Sequence, residues 1–281
     1  MAPGRNVIDR TPQLYYIPAN IMNEVKHAVI HYPFTIRRYA STMTVLLLAA
    51  LLAGCAGSGS SVREKSAQEW YDEGATLVAK KKYDEALEAF RQASGGYRGA
   101  ALDADIQVAL ADTYFLKEEY PAAVEAYSEF LRLHPHNTRA DYAQFRIGLC
   151  WQKQMRGADR SQDPARKAAA AYEALLRGYP RSQLLEAGRE GLTAARRRLA
   201  EHELNVADFY RRTGADRAAA GRYEVVLRDY ADLGFADRVL FDLANCYRRL
   251  QEEEKAAQLF ERLRRDFPES RFVRDIESAK G

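Results

Sequence analysis

From Ser66 onward the chain repeats a pattern of small, aromatic and polar positions at helical spacing. Aligned on an alanine followed four residues later by an aromatic, the chain shows five copies: Ala86/Phe90, Ala123/Tyr127, Ala168/Tyr172, Ala219/Tyr223 and Ala256/Phe260. Twelve residues before that alanine stands another small residue in four copies, Gly74, Ala111, Ala207 and Ala244. Three residues further on come Leu77, Tyr114, Tyr210 and Tyr247. A proline follows the anchor alanine by twelve residues in three copies, Pro135, Pro180 and Pro268. The pattern predicts antiparallel helix pairs. Small residues let the two backbones approach, aromatics fill the groove beside them, and proline, lacking an N–H, ends the second helix. Ser66-x-x-Glu69 is a capping box at the first start. In the last pair Glu252, Glu253 and Glu254 open a helix that Arg262, Arg264 and Arg265 close, which suits the helix dipole.

These offsets, with Trp70-x3-Gly74 in the first copy, resemble the tetratricopeptide repeat. The expected fold is all-α, an α-α superhelix of five such repeats, stacked because one pair alone cannot bury its apolar stripe. The array is irregular in the middle, with anchor spacings of 37, 45, 51 and 37 residues. In the third copy Gly148 and Ala168 lie 20 residues apart, which predicts an insertion at 157–164. An added helical stretch, Gln183 to Glu201, precedes the fourth copy; its sequence leaves open whether it runs on into the next helix.

Ahead of the repeats, the basic pair Arg37-Arg38 precedes a 12-residue apolar run, Met43 to Gly54, that closes on Leu52-Ala53-Gly54-Cys55. Basic, apolar and small segments in that order form a secretory signal. The run is shorter than the roughly 18–20 residues a spanning helix needs. Ala56 to Ser61, rich in Gly and Ser, neither propagates a helix nor fills a core. The cysteine after the small residues resembles the bacterial lipobox, which implies cleavage before Cys55 and its acylation. Ala56, rather than aspartate, follows it and favours the outer membrane. The stretch before Arg37 is long for a leader; a start codon placed too far upstream would account for it, which the sequence leaves open. The expected organisation is a signal peptide over 1–54, the lipidated cysteine and tether over 55–65, repeats one and two over 66–136, and repeats three to five over 137–281.

The leader also explains the charge. Residues 1–55 hold five basic and two acidic residues; without them, 42 and 39 become 37 of each. A neutral mature chain gives no electrostatic case for nucleic acid as a partner. Cys150 and Cys246 occupy the same place in two repeats, too far apart in a stacked array for a disulfide, and read as small buried hydrophobes.

No catalytic constellation appears, so the chain reads as a non-enzyme without cofactor or metal. His202-Glu203 begins like a zinc-protease helix, but position 206 is Val206. His134-Pro135-His136 offers two ligands and no third nearby. Gly57 and Gly59 lie in the tether, not between a strand and a helix. Ser, His and Asp are scattered without a nucleophile turn. Arg196-Arg197-Arg198, close to Glu201 and Glu203, reads as an exposed helix face.

Lipobox, tether and irregular repeats are joined by a more specific stretch. It comprises Asp159-Arg160-Ser161-Gln162-Asp163-Pro164, Arg177-Gly178-Tyr179-Pro180-x-Ser182-Gln183, Arg198-Leu199-Ala200, Val206-Ala207-x-Phe209-Tyr210-x-Arg212 and Leu227-Arg228-Asp229-Tyr230. In order and spacing these resemble the BamD family, lipoproteins of the outer-membrane β-barrel assembly machinery, over roughly residues 66–270. The resemblance implies an outer-membrane lipoprotein anchored on the periplasmic face. Its first repeats would bind nascent outer-membrane proteins, and its last would dock on a BamA-type barrel protein, with other assembly lipoproteins as further partners. It places Tyr97 at the rim of the substrate groove and gives Arg222 the role of pairing with an acidic residue of BamA. Two positions depart from the family pattern: Tyr97-Arg98 lacks its Tyr-Pro, and Tyr230-Ala231 ends the fourth repeat without proline. A rival reading is another repeat lipoprotein of the envelope, a pilotin or a division coordinator; the Asp-Arg-Ser insertion and the Arg-Gly-Tyr-Pro run argue against it. An envelope hydrolase would need a separate catalytic domain.

Overall fold

Eleven α-helices follow one another in a computed structural model that describes residues 63–95 and 100–278. The leader, Cys55, most of the tether and Tyr97 lie outside the described residues. The helices are α1 (Ala67–Ala79), α2 (Tyr83–Gly95), α3 (Ala100–Leu116), α4 (Tyr120–Leu133), α5 (Ala140–Lys153), α6 (Asp163–Gly178), α7 (Leu185–Arg212), α8 (Asp216–Asp229), α9 (Ala236–Arg249), α10 (Glu253–Asp266) and α11 (Arg271–Ser278). Each packs on the next, and the first helices of neighbouring pairs also touch, α1 on α3 and α5 on α7. The all-α repeat array is therefore present as five pairs followed by α11. The Ser66 capping box forms, with Glu69 completing it.

The sequence signature is a packing signature. A Cβ added to Gly74 would stand 2.6 Å from the Phe90 ring, and one added to Gly148 would stand 2.7 Å from the Tyr172 ring. Both pairs lie at helix crossings where only hydrogen fits. Ala111 and Ala207 are fully buried with Tyr127 and Tyr223 in the same way. Cys150 and Cys246 are buried and free. The turn inside a pair repeats as well. Five residues before the anchor alanine the backbone is left-handed at Lys81, Glu118, Gly214 and Gln251, with φ between 59° and 77°. That conformation lets the chain reverse within a few residues, and only Gly214 adopts it without steric cost.

The connection between pairs has its own chemistry. After Pro180 and Pro268, Ser182 accepts from Leu184 N–H just ahead of α7, and Ser270 accepts from Phe272 N–H in the first turn of α11. Each also donates back to the preceding repeat, Ser182 to Asp141 at 2.6 Å and Ser270 to Asp237 at 2.7 Å. Where the fourth pair lacks proline, a 3-10 turn at Ala231–Leu233 and left-handed Gly234, φ 81°, end α8 instead.

The irregular middle resolves into two features. The added stretch before the fourth copy runs unbroken into that copy's first helix as the 28-residue α7. Of the expected insertion, Asp163 and Pro164 belong to α6, where proline suits the first turn. The remainder is part of the loop between α5 and α6.

Asp216, the first residue of α8, accepts three hydrogen bonds of 2.5–2.9 Å from Arg249, the last residue of α9. Those bonds hold its carboxyl below the ordinary value, against a burial effect of opposite sign. A depressed carboxyl stabilises the fold above its unfolded-state pKa and loses that contribution as pH falls through the folded value. Asp216→Asn is expected to cost about 1 kcal/mol at neutral pH, because Arg249 remains half exposed. Thermal melts of wild type and variant should converge as pH drops below about 4; a gap that stays constant with pH would remove the ion pair as its source.

Candidate functional site

The first helices of the first three pairs stand side by side and leave a groove of 400 Å³ between them. Tyr71 and Val78 from α1, Asp112 and Leu116 from α3, and Tyr142 and Arg146 from α5 line it. Phe90 of α2 lies beneath, with its ring centroid 5.6 Å from that of Tyr71. Leu116 is 45 % exposed, unusual for a leucine among buried neighbours. The groove is thus apolar and aromatic along its walls, with one ion pair within it.

That pair is held by aromatic groups. The Arg146 guanidinium lies 3.7 Å from the Phe115 ring centroid and 5.5 Å from that of Tyr142. Its Nε donates to the Tyr127 hydroxyl at 2.9 Å, and a terminal nitrogen stands 3.3 Å from Asp112. Asp112 also accepts from the hydroxyls of Tyr127 and, at 2.7 Å, Tyr142. Burial and then the Asp112 bond push the Tyr142 hydroxyl up to about 12. Burial opposes the Arg146 charge, but Tyr127, Tyr142 and Asp112 outweigh it and leave its pKa above the ordinary value. The later repeats carry a parallel network around Tyr223, with Asp208, Arg211, Arg238 and Asp242. Burial raises the Asp242 carboxyl there.

Arg222 lies on α8, 45 % exposed, and pairs with Glu203 of α7 at 2.9 Å. The residue before Glu203, His202, anchors the insertion: its Nδ1 is 2.6 Å from the carbonyl oxygen of buried Ala158. Gln162 fixes the same loop by donating to the carbonyls of Arg160 and Gly157. Asp159 and Arg160 remain about three-quarters exposed, at 74 % and 70 %. The insertion loop and Arg222 thus meet adjacent positions in one stretch of α7, His202 and Glu203. Tyr230 joins it, its hydroxyl pKa raised by burial and then by Asp229 and Glu203, with Arg196 and Arg166 acting against them.

Of the arginine triplet expected on an exposed face, Arg197 is exposed, while Arg196 and Arg198 are partly buried. Arg196 reaches the next repeat, contacting both oxygens of Asp232 at 2.5 and 2.8 Å and the Asp229 carbonyl. Arg197 lies over Phe235, and Arg198 pairs with Glu201. The long α7 uses Arg196 and Arg197 to hold the corner after α8. His134, the other histidine with a possible metal role, bonds Asp103 at 3.1 Å. Among the described residues no group of three or more His, Cys, Asp or Glu is placed to hold a metal ion, and no helix is long and apolar enough to cross a membrane.

Sequence reading missed the groove residues Tyr71, Leu116, Tyr142 and Arg146. They come from three different repeats, Tyr142 and Arg146 sharing α5, so no spacing within one repeat links them. The arrangement offers binding surfaces: an apolar groove in the first repeats and a charged, loop-bearing face in the later ones.

A family model described as YfiO, outer membrane lipoprotein, matches residues 63–259. The outer membrane protein assembly factor BamD of Vibrio cholerae is 27 % identical over 219 residues, 74 % of this chain and 91 % of that protein. The factor of the same name from Caulobacter vibrioides is 24 % identical over 242 residues, 85 % and 79 % of the two chains. Among solved structures, the TPR2AB-domain:pHSP90 complex of yeast Sti1 aligns with a TM-score of 0.43 at 16 % identity, covering 72 % of this chain and 78 % of that one. With the model matched along most of the repeat array, this chain belongs to the YfiO family of outer membrane lipoproteins.

Proposed function

We propose that this chain is an outer-membrane lipoprotein of the β-barrel assembly machinery, a non-enzymatic adaptor. The observation that carries this reading is the family match over 63–259, which spans both candidate surfaces. Acylated Cys55 holds the array on the periplasmic face of the outer membrane. The groove of the first three pairs receives extended segments of nascent outer-membrane proteins, whose exposed apolar side chains and backbone groups suit an apolar wall with fixed polar groups. Tyr97, two residues past the end of α2, belongs to the chain segment leading into the groove helix α3. The face carrying Arg222, Glu203 and the Asp159-Arg160 loop docks on a BamA-type barrel protein. Anchoring both proteins in one membrane raises the effective concentration of one for the other.

A pull-down from the native host in mild detergent tests this. A BamA-type barrel protein is the expected companion; recovery of a secretin in its place overturns the reading. Arg222→Glu tests the docking face. The variant sets two acids side by side at 203 and 222, and opposes any acidic partner residue. Recovery of the barrel protein is expected to fall on the order of tenfold, with unchanged helical circular dichroism. Unchanged recovery removes Arg222 from the interface. The present Arg222–Glu203 pair is no obstacle, because exposed pairs contribute only about 0–1 kcal/mol and exchange partners readily.

A further inference from the structure

Two residues beyond the small residue of each repeat stands a position that the preceding repeat covers. Thr113, Cys150 and Cys246 occupy it in the second, third and fifth repeats, each 1 % exposed or less. Cys150 clusters with Tyr127 and Phe130 of α4, and Cys246 with Tyr223 and Val226 of α8, the second helices of the pairs before them. Thr76 of α1, which no described helix precedes, is exposed. The fourth repeat breaks the rule: its residue is Phe209, 55 % exposed.

The length of α7 is the reason. α6 runs antiparallel to its first half, where Leu175 meets Gly188, Tyr172 meets Gly191 and Ala168 clusters with Ala195. At His202 the loop ahead of α6 is reached, through the Ala158 carbonyl. From Glu203 to Arg212 the helix packs on α8, with Leu204 and Ala207 against the Tyr223 cluster. Those ten residues extend about 15 Å past the start of α6. Phe209 stands there with exposed Asn205 and partly buried Val206. Exposed Arg212 ends the stretch. Exposed Arg156 stands at its other end, in the loop between Met155, packed with Tyr172 and Ala195, and Ala158. Neither arginine makes an ion pair or a side-chain hydrogen bond among the described residues.

We infer that an amphipathic helix of a partner protein docks on this open side of α7, with its apolar stripe over Phe209 and Val206 and acidic residues at its two ends for Arg156 and Arg212. The sibling repeats fix the form of the occupant, because a second helix of a pair covers the same position in the third and fifth. The two arginines fix its sign. An exposed aromatic between arginines has the composition of an interface anchor, and a carboxylate meets each guanidinium with charge-assisted bonds. The inference does not rest on the assembly role proposed above, and Arg222, on α8, is not part of this site.

The test uses the full chain in mild detergent and a labelled, helix-stapled peptide of about 14 residues, roughly 20 Å long. It carries a leucine stripe, a benzophenone on that stripe, and either glutamates or lysines in its first and last turns. Fluorescence polarisation is expected to show the glutamate peptide binding about tenfold more tightly than the lysine peptide at low salt. Phe209→Ala should weaken the glutamate peptide about tenfold with helical circular dichroism retained, and Arg212→Glu should erase the preference between the two. Photo-cross-links should map to residues 202–212. Equal affinity of the two peptides for the wild-type chain overturns the acidic assignment. No binding, binding untouched by Phe209→Ala, or cross-links confined to the groove of the first three pairs overturns the site. A dimer of the full chain in sedimentation that Phe209→Ala dissolves makes the occupant a second copy and overturns the partner helix.

Discussion

Gly191→Val is expected to destabilise the chain by about 3 kcal/mol or more, although glycine is the poorest helix former after proline. The reason is the ring of Tyr172. A Cβ at Gly191 would lie 2.4 Å from that ring, and one at Gly148 would lie 2.7 Å from it. The buried ring thus sits in a slot between glycines of α5 and α7, with its hydroxyl bonded to Gln152 at 2.5 Å. It has nowhere to retreat. For Gly191→Ala the helix gain of about 1 kcal/mol competes with an overpacking cost of about 1–3 kcal/mol, so a smaller net loss follows. Emptying the slot from the other side, Tyr172→Ala, should cost roughly 3–5 kcal/mol through cavity formation. Urea unfolding followed by circular dichroism measures all three. Gly191→Ala coming out more stable than wild type would refute the slot. The effect reaches function because α5 carries Tyr142 and Arg146 of the groove, while α7 carries Glu203 and His202 of the docking face. Tyr172 ties the two surfaces together.

Cys55→Ala is expected to abolish membrane attachment. A buried methylene contributes about 0.8 kcal/mol, so one acyl chain binds reversibly and two hold firmly. Without the thiol there is nothing to acylate, and the neutral repeat array has no electrostatic substitute. The variant should move wholly from the outer-membrane fraction to an uncleaved or soluble form on sucrose-gradient fractionation. A variant that remains acylated in the outer membrane would show that another residue carries the anchor. Because the groove and the docking face stay intact, the soluble form should still bind the barrel protein in detergent while assembly in cells fails. That separation distinguishes an address from a binding role.

Much of the repeat array was legible in the chain. Gly74/Phe90 and Gly148/Tyr172 could be paired from their sequence positions, since close helix crossings demand a missing side chain opposite a large one. The prolines marked the joints, and the bonds from Ser182 and Ser270 to Asp141 and Asp237 needed coordinates. The length of α7 was not legible: Leu185 to Arg212 contains no proline but carries Gly188 and Gly191, and packing against α6 and α8 along its course decides that it stays one helix. Arg196 was misread because a triple arginine near acids has the look of a solvated face. Its true partner, Asp232, is 36 residues away on the far side of α8.

By itself the sequence determined the address, the helix pairs and which faces of each pair meet. These depend on the order of residues within a few turns, or on small and large side chains at fixed offsets within one pair. Only the tertiary structure decided that Tyr71, Leu116 and Arg146 share one groove, that Asp112 sits between two tyrosine hydroxyls, and that the Asp159-Arg160 loop and Arg222 meet adjacent residues of α7, His202 and Glu203. Those neighbours come from different repeats, and the angle at which one repeat stacks on the next sets their distance. That angle is fixed by the fit of whole surfaces, which no local spacing records.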